Sequence, residues 1–476
     1  MPIREVSLRR AEPPALAAGL QRLRTELGVP TGFPGPVLAE AEAAAQAPLL
    51  PSTDRTDIEF VTLDPEDSLD LDQAFHLSRT ADGYLLRYAI ADVAAFVAPG
   101  GAVDREAHAR GETLYAPTSR TPLHPPLLSE GATSLLPGQN RPALLWELRL
   151  DRAGATVGAS VARTMVRSRA KLGYVDAQRH LGAGDGGEQL ELLREIGTLR
   201  QALEASRGGV SLSVPEQEVV PTEASWGLEY RASLPVEDWN AQLSLATGMA
   251  AAQLMLDAGI GLLRTLPPAP DSAIARLRHT AQALGISWPH TVGYPQFVRG
   301  LDASIPAHAA MLNSCTMLFR GAGYVAFDGA APDQPLHAAI AAPYAHVTAP
   351  LRRLADRYAG EICVAICAGS PVPESVRSEL VTLPPVMAES NRRAHRYERG
   401  VVNLVEAILL EPHVGESFTG TVIEVDSDRK DGILQLAEPA VEARVAGTDL
   451  VLGHAVTATL ISADPATGKV EFALRP

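Results

Sequence analysis

Apolar positions over Pro14–Leu27 recur at helical spacing, and Pro36–Gln46 is alanine-rich with proline in its first turn, so two short helices joined by a Gly/Pro turn are predicted at the start of the chain. Compact apolar runs at Ile58–Leu63, Tyr84–Ile90 and Leu144–Leu150 predict strands. The last is followed by Asp151-Arg152-Ala153-Gly154, a hairpin-type turn. Longer periodic stretches predict helices over Gln189–Arg207, stopped by Gly208-Gly209, over Trp239–Leu256 and, after a proline-rich loop at 265–270, over Ser272–Leu284. Beyond residue 413 the pattern shortens to five runs, Phe418–Val425, Gly432–Leu436, Val441–Val445, Val456–Ile461 and Val470–Leu474, separated by Asp, Gly and Pro. Five short strands in about sixty residues suit a small closed barrel of the OB type, a common platform for single-stranded nucleic acid. The expected architecture is α+β: a helical segment over 1–50, a large mixed domain over 51–410 and a β-barrel over 411–476.

Composition narrows this picture. A chain of 476 residues exceeds one core, and 46% hydrophobic with 20% charged residues is ordinary for a globular protein. Cys315, Cys363 and Cys367 are too few for a disulfide framework. The last two lie four apart on an expected helix, without the further Cys or His that zinc requires, and read as small buried side chains in a reducing compartment. The first residues, MPIREVSLRRAEPP, lack an apolar core with a cleavage site, so a cytoplasmic protein is expected. The most membrane-like stretch, Leu243–Leu263, is interrupted by Gln253 and Asp257 and reads as a buried helix; no membrane association is expected. A net charge of −15 argues against coating nucleic acid with the whole surface, though it leaves room for a local basic channel. A monomer is expected. The two N-terminal helices read as packing against the large domain, with a helix-turn-helix-like accessory for DNA or duplexes as the alternative.

The candidate chemistry begins at DIEFVTLDPEDSLDLDQAF, residues 57–75. An apolar run enters an acidic loop carrying Asp64, Glu66, Asp67, Asp70 and Asp72, then returns to Ala74-Phe75. Acids so close repel unless something positive lies among them, and an oxygen-rich set suits Mg²⁺ or Mn²⁺ better than zinc. The plain alternative is a solvated acidic turn. A calcium loop does not fit, because no Asp-led register puts Gly at position six and Glu at position twelve.

Several separated blocks, taken together, resemble the RNB family, the catalytic domain of ribonuclease II and ribonuclease R exoribonucleases. They are TLDPEDSLDLDQAF; AIADVAAFVAPGGAVDREAHARGETLY over 89–115; Thr121–Pro125 with Leu128-Ser129 and Ser134-Leu135; SRAKLGY over 168–174; and HAAIAAPYAHVTAPLRRLAD over 337–356. The resemblance spans roughly residues 55–400, and GESFTGTVIEV is similar to the opening strand of an S1-type RNA-binding domain.

That resemblance implies a Mg²⁺- or Mn²⁺-dependent 3′→5′ exoribonuclease acting on a single-stranded RNA 3′ end and releasing 5′-mononucleotides. It implies Asp64, Asp70 and Asp72 as metal carboxylates, with Asp72 and Arg352 as the catalytic pair. Tyr115 would pack near the 3′-terminal nucleotide, against the alternative of a core aromatic, and Glu398 would stand near the ribose, against a solvated helix residue. Arg353 either holds the RNA backbone or anchors its own helix; Asp92 and Asp356 are read as orienting backbone or arginines. The sequence also departs from the family. Gln73 replaces a fourth loop aspartate and is expected as a neutral oxygen ligand; Ala349 and Leu354 replace a serine and a tyrosine; and 258–267 lacks a base-stacking aromatic. These departures motivate an alternative, a weakened or inactive RNB-family protein that binds RNA as a regulator.

Overall fold

The computed structural model describes residues 14–117, 119–211, 216–221, 226–303, 305–319, 321–426 and 429–474. In chain order, α1 (Pro14–Leu27) and α2 (Gly35–Gln46) precede β1 (Phe60–Asp64), β2 (Gln73–Thr80) and β3 (Gly83–Ala91). Then come α3 (Ala102–Arg110), the hairpin β4 (Leu114–Ala116) and β5 (Ser119–Thr121), and the long pair β6 (Asn140–Asp151) and β7 (Thr156–Gly173). Helices α4 (Tyr174–Ala183) and α5 (Gly187–Ser206), the hairpin β8 (Glu216–Pro221) and β9 (Trp226–Arg231), and α6 (Pro235–Ala258) follow.

Five strands, β1-β2-β3-β6-β7, close into a barrel whose seam is the parallel pair β1–β7; the other neighbours are antiparallel. Phe75, Leu86, Tyr88, Trp146 and Leu148 fill its centre. The predicted turn at 151–154 is present: Asp151 donates its N–H to Ala155 O at 2.9 Å, and Gly154 takes φ 81°, which a side chain would resist. Strands β2 and β7 were not separately predicted. Along β7 the inward positions include Thr164 and Ser168 and the outward ones several arginines, so hydrophobic alternation is faint.

Helix α6 ends at Gly259 (φ 74°), and the chain reverses into β10 (Ile260–Thr265), which pairs with β11 (Gly323–Asp328) after α7 (Asp271–Ala283), α8 (Tyr294–Arg299) and α9 (Pro306–Cys315). The membrane-like stretch is thus a helix end plus a strand, and among the described residues no helix is long and apolar enough to cross a membrane. The short pair β12 (Leu336–His337) and β13 (Ala342–Pro343) leads to α10 (Leu354–Cys367), on which Cys363 is buried and both cysteines are free, then to α11 (Glu374–Arg377) and α12 (Leu383–Leu410).

A second five-stranded closed barrel, order β14-β15-β16-β18-β17, is built from Ser417–Asp426, Asp431–Leu436, Val441–Ala446, Ala455–Asp464 and Lys469–Leu474, and all five runs predicted there are strands. Its core continues through α12 into α1: Leu434, Leu460 and Phe472 share one cluster with Leu404, Val405 and Leu20. The N-terminal helix α1 packs against α12. Glu406 of α12 joins the parts, its Oε1 accepting from Glu442 N at 2.9 Å and from Gln217 Nε2 at 2.7 Å.

Candidate active site

The acidic loop lies at the mouth of the first barrel, between the end of β1 and the start of β2. Its backbone is pinned from three sides. Lys171 of β7 donates to Glu66 O and Ser68 O, each at 2.6 Å. Ser134 Oγ accepts from Leu71 N at 2.9 Å and donates to Leu69 O at 2.6 Å. On the far side stands the loop before α10: Asp72 Oδ1 accepts from Leu351 N at 2.8 Å, and Gln73 Nε2 donates to Thr348 O at 2.6 Å. More than 270 residues of chain separate these partners, and both sets are backbone groups of the second loop.

Arg352 is thereby brought to the acids. Its Nε lies 3.6 Å from Asp72 Oδ2, with a third of its side chain (34%) still exposed while Asp72 is buried. Burial opposes the Arg352 charge, but Tyr115, Asp72 and Asp70 outweigh it and hold the guanidinium above its ordinary pKa. Asp72 is pushed well above the usual carboxylate range, first by burial, with Arg352 and the Leu351 amide working against the shift. Burial pushes Asp64 up to about 7 in spite of Arg352, with Asp70 adding to the rise and Lys171 reducing it. Asp64 Oδ2 is buried without a hydrogen-bond partner. Two carboxyls held where ionisation is costly, one with an unsatisfied oxygen, mark this loop as a candidate site.

The other candidates are placed as follows. Asp70 pairs with Arg120 of β5 at 2.9 Å while still acting electrostatically on Asp64, Asp72 and Arg352, and Arg120 also reaches Glu130 at 2.8 Å. The amide of Gln73 is spent at both ends: Oε1 accepts from Tyr88 OH at 2.9 Å, opposite the bond to Thr348. Among the described residues no group of three or more His, Cys, Asp or Glu side chains is close enough to hold a metal ion. Of the expected ligands, Asp70 is engaged by Arg120 and Gln73 by Thr348 and Tyr88. Tyr115 is buried in β4 within electrostatic reach of Arg352. Arg353 turns into α10, where Asp356 takes Nε at 2.5 Å and Nη2 at 2.8 Å; Asp356 also accepts from Ala349 N at 2.7 Å. Asp92 pairs with Arg163 at 2.8 Å. Both acids orient arginines, as read from the sequence. Glu398 stands on α12 with His395 at 3.8 Å, and α12 packs on β4.

Sequence reasoning missed Arg120, Lys171, Tyr88 and Ser134 as parts of the site. Lys171 and Ser134 lie inside blocks that carry the resemblance, and Lys171 is one of only three lysines. Arg120 falls between two blocks, and nothing in its spacing to Asp70 marks the pair.

Asp64 and Asp72 fit an oxygen-seeking divalent cation, since Asp72 is buried and the half-buried Asp64 has a buried, unpartnered oxygen; Asp70 would join them on leaving Arg120.

Comparison with known proteins agrees with this layout. The RNB domain profile matches residues 52–367, and that of the RNase II-type exonuclease C-terminal S1 domain matches 416–475. Ribonuclease R 1 of Lactococcus lactis is 24% identical over 500 residues, covering 93% of this chain and 59% of that protein. Ribonuclease R of Thermotoga maritima is 23% identical over 496 residues, covering 95% and 69%. The chain therefore spans well under two thirds of the first relative's length. Among solved structures, Mycoplasma genitalium RNase R in complex with ribose methylated single-stranded RNA has a TM-score of 0.86 at 19% identity, covering 97% of this chain and 78% of that one. Yeast Ssd1, a pseudonuclease, has a TM-score of 0.70 at 18% identity, covering 90% and 54%. At such identities the structural likeness speaks for the fold alone. With two thirds of its length matched by the RNB domain, the chain belongs to the RNB family.

Proposed function

We propose that this protein is a divalent-metal-dependent 3′→5′ exoribonuclease that hydrolyses single-stranded RNA to 5′-mononucleotides. The observation that carries the reading is Arg352, with Nε 3.6 Å from Asp72 beside the half-buried Asp64 and its unsatisfied oxygen, at a barrel mouth. Asp64, Asp72 and, once freed from Arg120, Asp70 would hold Mg²⁺ or Mn²⁺. When bound, such an ion supplies Lewis-acid stabilisation of phosphate oxygens and an acidified water.

The chain's own residues do the rest. The Arg352 fork faces the scissile phosphate and stabilises the charge that grows on it, for which a planar guanidinium suits phosphate better than an ammonium. Tyr115, buried beside Arg352, supplies an aromatic wall against the terminal nucleotide. Arg353 acts through Asp356, which fixes the turn carrying Arg352. Glu398 lies on a helix packed against β4, and in this reading it would contact the ribose. The cell compartment is the cytoplasm, and the unit is a monomer.

The test is digestion of a 5′-labelled single-stranded oligonucleotide with and without Mg²⁺ or Mn²⁺, alongside Asp72→Asn. The expected result is stepwise shortening from the 3′ end, lost on EDTA treatment and lost in the variant. Activity surviving both would overturn the reading. A second reading, an RNA-binding regulator without cleavage, draws on the Asp70–Arg120 pair and the engaged Gln73. Tight binding without shortening across a series of divalent metals would favour it.

A further inference from the structure

We propose that Gln73 is a positioning residue that clasps the acidic loop to the arginine-bearing loop, and that its amide is not a metal ligand. The proposal rests on the assignment of Asp64, Asp72 and Arg352 as the reacting centre. Its geometry is independent of that assignment.

The amide orientation is set by chemistry. Thr348 O is a carbonyl, which only accepts, so the group 2.6 Å from it must be the Gln73 NH₂. The Gln73 carbonyl is then the group 2.9 Å from Tyr88 OH, and Tyr88 OH lies 2.9 Å from Ser244 Oγ on α6. Burial lifts the Tyr88 phenol far above its ordinary pKa, so it keeps its proton to donate. One side chain thus ties three elements: β2, which carries it; β3, which carries Tyr88; and the loop ahead of α10.

Its neighbour Asp72 grips the same loop three residues on, accepting from Leu351 N. Consecutive residues of the acidic strand therefore hold one carbonyl and one amide of the segment 348–351, which fixes where Arg352 leaves the backbone. A carboxylate at 73 has no hydrogen to give Thr348 O and would repel it. An amide is the side chain that satisfies both partners, which gives the exchange of acid for glutamine a structural reason. A ligand role would have to use the second lone pair of Oε1, on an amide whose orientation Thr348 O and Tyr88 OH already fix.

The experiment uses the full chain in three forms: parent, Gln73→Leu and Tyr88→Phe. Leucine keeps the charge constant, so any change in metal binding reports ligation and not electrostatics. Mn²⁺ binding is followed by electron paramagnetic resonance without RNA, amide hydrogen exchange is followed over 348–353, and single-turnover cleavage gives the rate and the RNA concentration dependence. The expected result for Gln73→Leu is a Mn²⁺ Kd within about twofold of the parent and exchange at Leu351 at least tenfold faster. The cleavage rate should fall at least tenfold with the half-saturating RNA concentration nearly unchanged. Tyr88→Phe should show the same pattern more weakly, and the double variant should be no worse than Gln73→Leu alone, because both cut one clasp.

A tenfold or greater loss of Mn²⁺ affinity with exchange at Leu351 unchanged would overturn the proposal. So would full additivity of the two substitutions. Should Gln73→Leu fail to fold, Gln73→Met, which also lacks both amide groups at unchanged charge, carries the same comparison. If the parent cleaves no RNA, the functional reading fails, while the exchange and Mn²⁺ measurements still decide the clasp.

Discussion

Two carboxyls, one beside each barrel, are pushed to about 7 by burial, and they differ in what surrounds them. Glu406, at the joint of α12, the β8–β9 hairpin and the second barrel, has donors for its oxygen from Glu442 N and Gln217 Nε2. Asp64, at the mouth of the first barrel, keeps an oxygen with no donor and faces Arg352, Asp70 and Lys171 electrostatically. The first is a closed hydrogen-bonded joint. The second carries an oxygen that no donor satisfies. Burial raises both carboxyls, and what surrounds them differs: Glu406 has donors for its oxygen, while Asp64 keeps an unpartnered one beside Arg352.

The largest expected effect comes from closing the open case. Asp64→Asn should abolish cleavage, with a loss of about 10³-fold or more, as expected when a group that stabilises transition-state charge is removed. The same change should make the metal-free protein more stable above neutrality. The sign follows from the folded pKa lying above the unfolded one. Between pH 3.8 and about 7 the folded state keeps a proton that the unfolded chain releases, so stability falls as pH rises through that window, and the amide removes this loss. Urea denaturation at pH 8 without metal checks it. A variant less stable than the parent would remove Asp64 from the strained class.

Glu406 should answer the same substitution on stability alone. Glu406→Gln keeps Oε1 for both donors and should flatten the fall in stability between pH 4.5 and about 7, a difference of about 3 kcal/mol at most. Cleavage should be unchanged. Glu406→Leu leaves the Glu442 amide and the Gln217 side chain without their acceptor, and should instead cost roughly 1–3 kcal/mol at any pH. Denaturation curves at pH 5 and pH 8 separate the two; loss of cleavage in folded Glu406→Gln would break the contrast.

How far the contrast could be read from the chain is uneven. The second barrel was legible strand by strand because its runs are short, alternating and divided by turn residues. In the first barrel β1, β3 and β6 were legible as compact apolar runs, whereas β2 and β7 were not, since β7 carries Thr164 and Ser168 inward and arginines outward. At the site, Asp64, Asp72 and Arg352 were visible through motif and resemblance. What holds them was not. Leu351 N and Thr348 O are backbone atoms, which leave no mark in a sequence, and Arg120 is paired with Asp70 only by the fold.

The smallest effect should come from the outer charges of the second barrel. Residues 416–475 hold ten acidic against five basic side chains. Among the basic ones, Arg444 lies 2.6 Å from Asp431 and 3.8 Å from Glu471, and Arg429 lies 3.3 Å from Asp426. Phe472 is buried, and its partner Phe418 is packed edge-on against it at 5.8 Å, so neither ring is laid out flat for a base. A guanidinium already neutralised by acids releases few counterions from RNA, whereas a full phosphate contact on a single strand contributes about 0.7 to the salt slope. Arg444→Ala should therefore change RNA affinity less than about twofold at physiological salt and lower the slope of log K against log salt by well under 0.7. Fluorescence anisotropy with a labelled single strand over a salt series measures both. A slope change near a full phosphate contact would show that the second barrel reads the RNA backbone directly, and the division between a working mouth and a structural joint would have to be redrawn.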